Sequence, residues 1–139
     1  MTRILSHQKH NKSIECIFFK SKLQTHPRRS TLLYNVGSRR NQILHCRLRL
    51  GCSSLNHDLH RKNITDSPRC ICNAVETCSH FLLNCPLYVN QRHHHLNNIP
   101  CALTLNNLLY GDEHLTLEQN KNIFLCVTRY IASTNRVGA

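Results

Sequence analysis

The chain has 139 residues, of which 18 are Lys or Arg and seven are Asp or Glu, so its formal charge at pH 7 is +11. This length fits one domain of ordinary size, but only 6% of the residues are aromatic and Trp is absent, which predicts a thin core. No apolar run of about 18 residues and no secretory signal is visible, so we expect an intracellular protein, cytoplasmic or nuclear, that is not secreted and has no membrane contact.

The first predicted elements lie in the basic half of the chain. Residues 13–23 contain an apolar cluster typical of a short helix or strand, and Pro27 ends it. The segment 24–37 is basic and polar, which indicates a loop. We therefore assign residues 1–36 to a basic, weakly structured N-terminal segment.

A helix is predicted from Ser38, a favoured N-cap residue, through Leu50, because Gly51 stands where helices often end in the left-handed conformation. Its apolar residues fall in two rows, one formed by Ile43 and Leu50 and the other by Leu44 and Leu48. Arg40 and Arg47 lie between the rows, so we expect them not to occupy the outward face. They would run along apolar surface, pair with an acid such as Asp58, or bind a phosphate.

Five more helices are predicted along the rest of the chain, and no stretch alternates with the period of a strand. They start near Ser53 or Ser54, at Glu76 and Thr77 (to Cys85), at Leu87 (to Asn97), near Leu103 (to Tyr110) and at Thr116 (to about Arg136). The last begins with a capping box of Thr116 and Gln119 and carries an apolar stripe. The stripe consists of Ile123, Val127, Tyr130 and Ile131. The sequence thus predicts a mainly α fold, with a domain over 37–98 and a helical tail over 99–139 packing on it.

Four potential metal ligands lie within sixteen residues. Cys70 and Cys72 form a Cys-x-Cys pair, and the helix that follows can return His80 and Cys85 to the same point. Three thiolates and an imidazole are a donor set that Zn²⁺ favours, and four protein ligands predict a closed, structural site, a small zinc knuckle. Cys78 lies between the pairs and either replaces His80 or points away from the metal.

The basic residues are concentrated in the first half of the chain. Residues 1–69 carry a net charge of +11, whereas residues 70–139 carry none. Lys and Arg gain affinity by displacing counterions from phosphates, so this half predicts contact with the RNA or DNA backbone, although a solvated basic surface kept for solubility has the same composition. The predicted contact residues are Arg39, Arg40, Arg47, Arg49, Arg61, Lys62 and Arg69.

Residues 37–92 also carry an ordered series of short motifs. These are Gly37-Ser38-Arg39-Arg40, His45-Cys46-Arg47-Leu48-Arg49-Leu50-Gly51, Ser53-Ser54-Leu55-Asn56, Ser67-Pro68, Cys70-x-Cys72, Glu76-Thr77, His80-Phe81 and Cys85-Pro86-x-Tyr88. Together they resemble the zinc-binding region at the C-terminal end of non-LTR (LINE-type) retrotransposon polyproteins, downstream of the reverse transcriptase.

The resemblance implies a nucleic-acid-binding accessory domain of a mobile element, with other parts of the polyprotein as further partners. It favours His80 over Cys78 as the third ligand. Two positions depart from the family: Cys52 stands where a His is frequent, and Asn73 stands where Gly is frequent. Asn tolerates the left-handed conformation, so we expect the turn to form.

We expect no enzyme activity. Catalysis on two metals needs clustered carboxylates, and Asp58, Asp66 and Asp112 are separated in the sequence. Two alternatives to the nucleic-acid module stay open: a zinc-stabilised protein-interaction module that presents the stripe around Ile123, and a nonfunctional fragment of a retroelement.

Overall fold

A long C-terminal helix is the centre of the fold in the computed structural model, which describes residues 34–137. The helices are α1 Arg39–Leu50, α2 Asn56–Arg61, α3 Val89–Leu96, α4 Leu105–Tyr110 and α5 Leu117–Thr134, with a π-helical turn His80–Asn84 and a 3₁₀ turn Pro86–Tyr88 before α3. Residues 34–137 contain no strand, so the predicted mainly helical fold is confirmed for them. The element predicted over 13–23 lies outside the described residues, and the boundaries at 36/37 and 98/99 stay predictions.

Helix α1 begins and ends as predicted. The Ser38 side chain accepts a hydrogen bond from the Asn41 amide at 3.2 Å, and Gly51 adopts a left-handed conformation with φ 64°. The Cys52 amide then donates to the Arg47 carbonyl at 2.9 Å, which satisfies one of the carbonyls left open at the helix end.

The predicted orientation of α1 is wrong. The buried side chains are His45 and Leu48, whereas Ile43 and Leu50 are 41% and 40% exposed. The buried face therefore centres on one apolar row and the polar His45, which hydropathy alone does not select. Arg40 and Arg47 are both exposed in consequence, and Asp58 pairs with Arg61 instead.

Helices α2 and α4 begin later than predicted, at Asn56 and Leu105 respectively. Ser53 lies outside α2 because its amide and hydroxyl both donate to the Asp58 carboxylate. Thr104 is the N-cap of α4, since its side chain accepts a hydrogen bond from the Asn107 amide at 3.2 Å.

Helix α5 contributes the largest part of the core. Its predicted capping box of Thr116 and Gln119 is confirmed, and it packs against α1, α3 and α4. The core residues are Leu48, Leu55, Phe81, Leu82, Leu96, Leu108, Leu109, Ile123, Phe124, Val127, Tyr130, Ile131 and Val137. The stripe around Ile123 is thus buried, which removes the surface that the protein-interaction alternative required. None of the described helices is long and apolar enough to span a membrane.

A buried histidine joins α1, α4 and α5. The Nε2 atom of His45 lies 3.0 Å from the Leu108 carbonyl oxygen, and its ring centroid is 4.6 Å from that of Phe124. Its Nδ1 atom accepts a hydrogen bond from the Arg49 guanidinium. Burial, with Arg49 as a second cause, lowers the pKa of His45 to about 3, so the imidazole is neutral in the folded protein at neutral pH.

We predict that this histidine makes stability fall with acidity. In the unfolded chain His45 has a pKa near 6.5, so below about pH 6.5 the unfolded state binds a proton that the folded state does not. Denaturant unfolding at pH 7, 6 and 5 should show wild type losing up to about 1.4 kcal/mol per pH unit more than His45→Gln. Parallel pH dependences of the two proteins would contradict the buried neutral imidazole.

Candidate metal centre

The Cys-x-Cys segment forms a tight turn. The Asn73 amide donates to the Cys70 carbonyl at 2.9 Å, and the Cys70 amide donates to the Ala74 carbonyl at 2.7 Å. Asn73 is left-handed with φ 76°, as predicted. The Arg69 guanidinium donates to the Asn73 carbonyl at 2.7 Å and fixes the far side of the turn. The backbone is therefore held by hydrogen bonds independent of any metal.

A second segment brings back the other two ligands. Thr77 acts as its cap, because the Thr77 hydroxyl accepts a hydrogen bond from the His80 amide at 3.1 Å. The predicted helix instead becomes a π-helical turn, in which the Cys85 amide donates to the His80 carbonyl at 2.7 Å, five residues back. In a regular α-helix, residues five apart point about 140° away from each other, so the wider π turn helps to bring both side chains to one side.

Two side chains from later helices bind the carbonyls of this turn. Pro86 has no N–H, so the next bond of the π series, to the Phe81 carbonyl, cannot form. The Tyr130 hydroxyl of α5 donates to that carbonyl instead. Arg92 of α3 is buried and donates to the Cys85 carbonyl, at 3.2 Å from Nη1. The position of Cys85 thus depends on both helices.

Cys70, Cys72, His80 and Cys85, which we call the ligand cluster, converge at the meeting point of these segments. Their ligand atoms all lie within 4.8 Å of one another. The Sγ atoms of Cys70 and Cys85 are 3.7 Å apart, and Cys72 Sγ lies 3.3 Å from His80 Nε2. A tetrahedral zinc site with Zn–S bonds of about 2.3 Å has S···S edges of about 3.8 Å and S···N edges of about 3.6 Å. The cluster could therefore hold a metal ion with little movement.

The electrostatics of the cluster differ between its two turn cysteines. Burial raises the pKa of the Cys70 thiol to about 12, whereas a hydrogen bond from the Ala74 backbone lowers the pKa of Cys72. A metal cation reverses the effect of burial, since it binds the thiolate and displaces the proton. A cation at the centre of the cluster would therefore stabilise the thiolate forms of its cysteines.

Cys78 does not join the ligand cluster among the described residues. It packs against the hydrophobic core, where burial raises the pKa of its thiol to about 12. The structure therefore places His80, and not Cys78, beside the three other candidate ligands. Cys52 is exposed, and its thiol lies 3.6 Å from the Leu50 carbonyl.

Glu76 ties the turn to the rest of the fold. Its carboxylate is buried, accepts a hydrogen bond from the Asn56 amide at 2.8 Å and pairs with the Arg136 guanidinium, whose Nε atom is 3.0 Å away. The Asn56 side chain also donates to the Arg69 carbonyl at 2.7 Å. Sequence reasoning identified Glu76 only as part of a motif and Tyr130 only as part of the apolar stripe, and it missed Arg92 and Arg136. Two signals in the sequence point to such supporting residues. Glu76 is a lone acid near the ligands and needs a cationic partner, and Pro86, directly after Cys85, leaves a backbone carbonyl without its usual donor.

The predicted phosphate-contact residues divide into two groups. Six are exposed: Arg39, Arg40, Arg47, Arg61, Lys62 and Arg69. Arg49 is only partly exposed. Its guanidinium lies 3.9 Å from the Tyr34 ring centroid and donates a hydrogen bond to His45. The Arg49 guanidinium is therefore held by contacts within the protein, unlike the six exposed side chains.

Comparison of the chain with protein-family models, with curated proteins and with solved structures gives no match in any of the three. The metal centre therefore rests on the geometry of its four side chains.

We predict that the cluster binds one metal ion per chain and that Cys72→Ser weakens metal affinity by more than about 100-fold, beyond the usual effect of an outer-shell change. Cys78→Ser is the matched control and should keep the metal, since its thiol packs in the core. Metal content after dialysis against a calibrated chelator, under reducing conditions, measures both. Equal loss in the two variants would contradict the assignment.

A second prediction concerns the support of the π turn. Tyr130→Phe leaves the buried Phe81 carbonyl without its hydroxyl donor, which should cost about 1–3 kcal/mol of unfolding free energy and about tenfold in metal affinity. Tyr88→Phe is the control, because the Tyr88 ring contacts Phe81 at 5.6 Å between centroids and is retained. Chelator competition and thermal unfolding report the two effects. An unchanged metal affinity in Tyr130→Phe would contradict a role of α5 in supporting the metal site.

Proposed function

We propose that this chain is a non-catalytic nucleic-acid-binding module in which a structural zinc ion, held by Cys70, Cys72, His80 and Cys85, fixes the fold. Three thiolates and one imidazole suit Zn²⁺ better than Mg²⁺ or Ca²⁺, which prefer oxygen ligands. Four protein ligands fill a tetrahedral shell and leave no position for a substrate or an activated water. These features favour a structural over a catalytic role.

The observation that carries the proposal is the charge displayed by residues 34–69. Helix α1 contains four arginines and no acid, and three of those arginines are exposed. In the same segment, the Asp58 carboxylate is buried against Ser53 and near Arg61, so it is withdrawn from the surface. A surface rich in exposed guanidinium groups gains affinity for RNA or DNA through release of phosphate counterions.

The resemblance to the C-terminal region of non-LTR retrotransposon polyproteins supports the same function. The resemblance implies a module that acts beside a reverse transcriptase, with other parts of the polyprotein as further partners. The proposed zinc site requires three reduced thiols, which supports a location inside the cell, in the cytoplasm or the nucleus.

We predict that Arg39→Ala and Arg47→Ala each weaken binding to RNA and DNA of any sequence and each reduce the slope of log affinity against log salt by about one. Arg129→Ala, which removes an exposed arginine from α5, is the matched control and should leave the slope unchanged. Fluorescence anisotropy with labelled oligonucleotides over a salt series measures the slopes. Identical slopes in all four proteins would refute the α1 contact.

A further inference from the structure

The outward face of α1 combines cationic and aliphatic side chains. We define it by its exposed residues, which are Arg39, Arg40, Ile43, Arg47 and Leu50. Helices α4 and α5 pack on the other side of α1, where His45 and Leu48 are buried. Two aliphatic side chains, each about 40% exposed, thus stand between guanidinium groups on one surface of a helix.

The charge of this face restricts its partner. A second copy of the chain would place arginines against arginines in a two-fold interface, which is unfavourable. An anionic membrane surface calls for a broad apolar face, and here only Ile43 and Leu50 are available. A nucleic acid can contact both kinds of side chain on this face. It offers phosphates to the arginines at the groove edges and apolar groups to the aliphatic side chains at the base edges.

The shape of the face distinguishes between nucleic acids. Helix α1 has 12 residues and is about 18 Å long. The major groove of B-form DNA admits an α-helix, whereas the major groove of an RNA duplex is too deep and narrow for side chains to read. The thymine C5-methyl group lies in the DNA major groove, and it is the base-edge group that an aliphatic side chain can contact.

Helix α2 brings a cation to one end of α1. The Arg61 guanidinium donates to the Gly51 carbonyl at 2.7 Å, which places it at the C-terminal end of α1, and Lys62 follows in the chain. Arg61 therefore adds a positive charge at the C-terminal end of α1.

We propose that the outward face of α1 enters the major groove of duplex DNA, with Arg39 and Arg47 on the phosphates and Ile43 against thymine methyl groups. This inference rests on the proposed nucleic-acid-binding function and adds the class of nucleic acid and the means of recognition. It makes double-stranded DNA the preferred partner over double-stranded RNA.

The test replaces thymine by deoxyuridine, which removes the methyl group from the major groove and keeps the base pairing. Zinc-loaded full-length protein is titrated with a 20-base-pair A·T-rich duplex, its deoxyuridine version and the RNA duplex of the same sequence. Wild type should bind the deoxyuridine duplex roughly fourfold more weakly for each methyl group that it contacts, and the RNA duplex more weakly still. Ile43→Ala should lose the thymine preference, while Ile64→Ala, an exposed aliphatic residue outside α1, should keep it.

The other outcomes each overturn the inference in a distinct way. Salt-dependent binding with equal affinity for the three duplexes would leave the proposed function standing and refute groove entry. If Ile43→Ala keeps the thymine preference, the preference arises from the shape of the DNA and not from contact with Ile43. Displacement of DNA by poly-glutamate at equal charge, weakened by Ile43→Ala, would make the face a site for acidic protein. No binding at low salt to any duplex or to single-stranded DNA or RNA would refute the proposed function itself.

Discussion

The hydrogen bond from the Cys85 amide to the His80 carbonyl is the constraint on which the metal centre depends. It widens one helical turn and helps to bring two ligands, five residues apart, to one side. Pro86 then prevents the next bond of the same kind, and the Phe81 carbonyl becomes available to Tyr130. A local backbone irregularity in the ligand segment is in this way linked to the longest helix of the fold.

A metal ion and the ion pair between Glu76 and Arg136 would stabilise the same segment from two sides. The ligand cluster joins the Cys70 turn to the turn that ends at Cys85. Glu76, between them, pairs with Arg136, sixty residues later. Removing Arg136 would leave the buried Glu76 carboxylate without its cation, which costs more than the pair itself contributes. In a chain with a small hydrophobic core, a metal site and an ion pair of this kind add stability that the core alone does not supply.

Local signals in the sequence predicted much of the fold, because helix caps act over three or four residues. Ser38, Gly51 and the box of Thr116 and Gln119 set helix ends as expected. The spacing of the four candidate ligands was likewise sufficient to group them. The inward position of Arg49 could not be predicted, because it depends on tertiary packing. Its guanidinium contacts Tyr34, which stacks on Phe124 of α5, and His45, which contacts the Leu108 carbonyl of α4. The π turn was missed for a related reason: residues far along the chain satisfy its carbonyls.

Cobalt binding tests the central claim, that the four side chains form one tetrahedral metal site, most directly. Reduced protein titrated with Co²⁺ should develop the intense visible absorption of tetrahedral cobalt with thiolate ligands, reach saturation at one equivalent and lose the absorption when Zn²⁺ is added. Weak absorption typical of six-coordinate cobalt, or a titration that does not saturate, would contradict a closed site of three cysteines and one histidine.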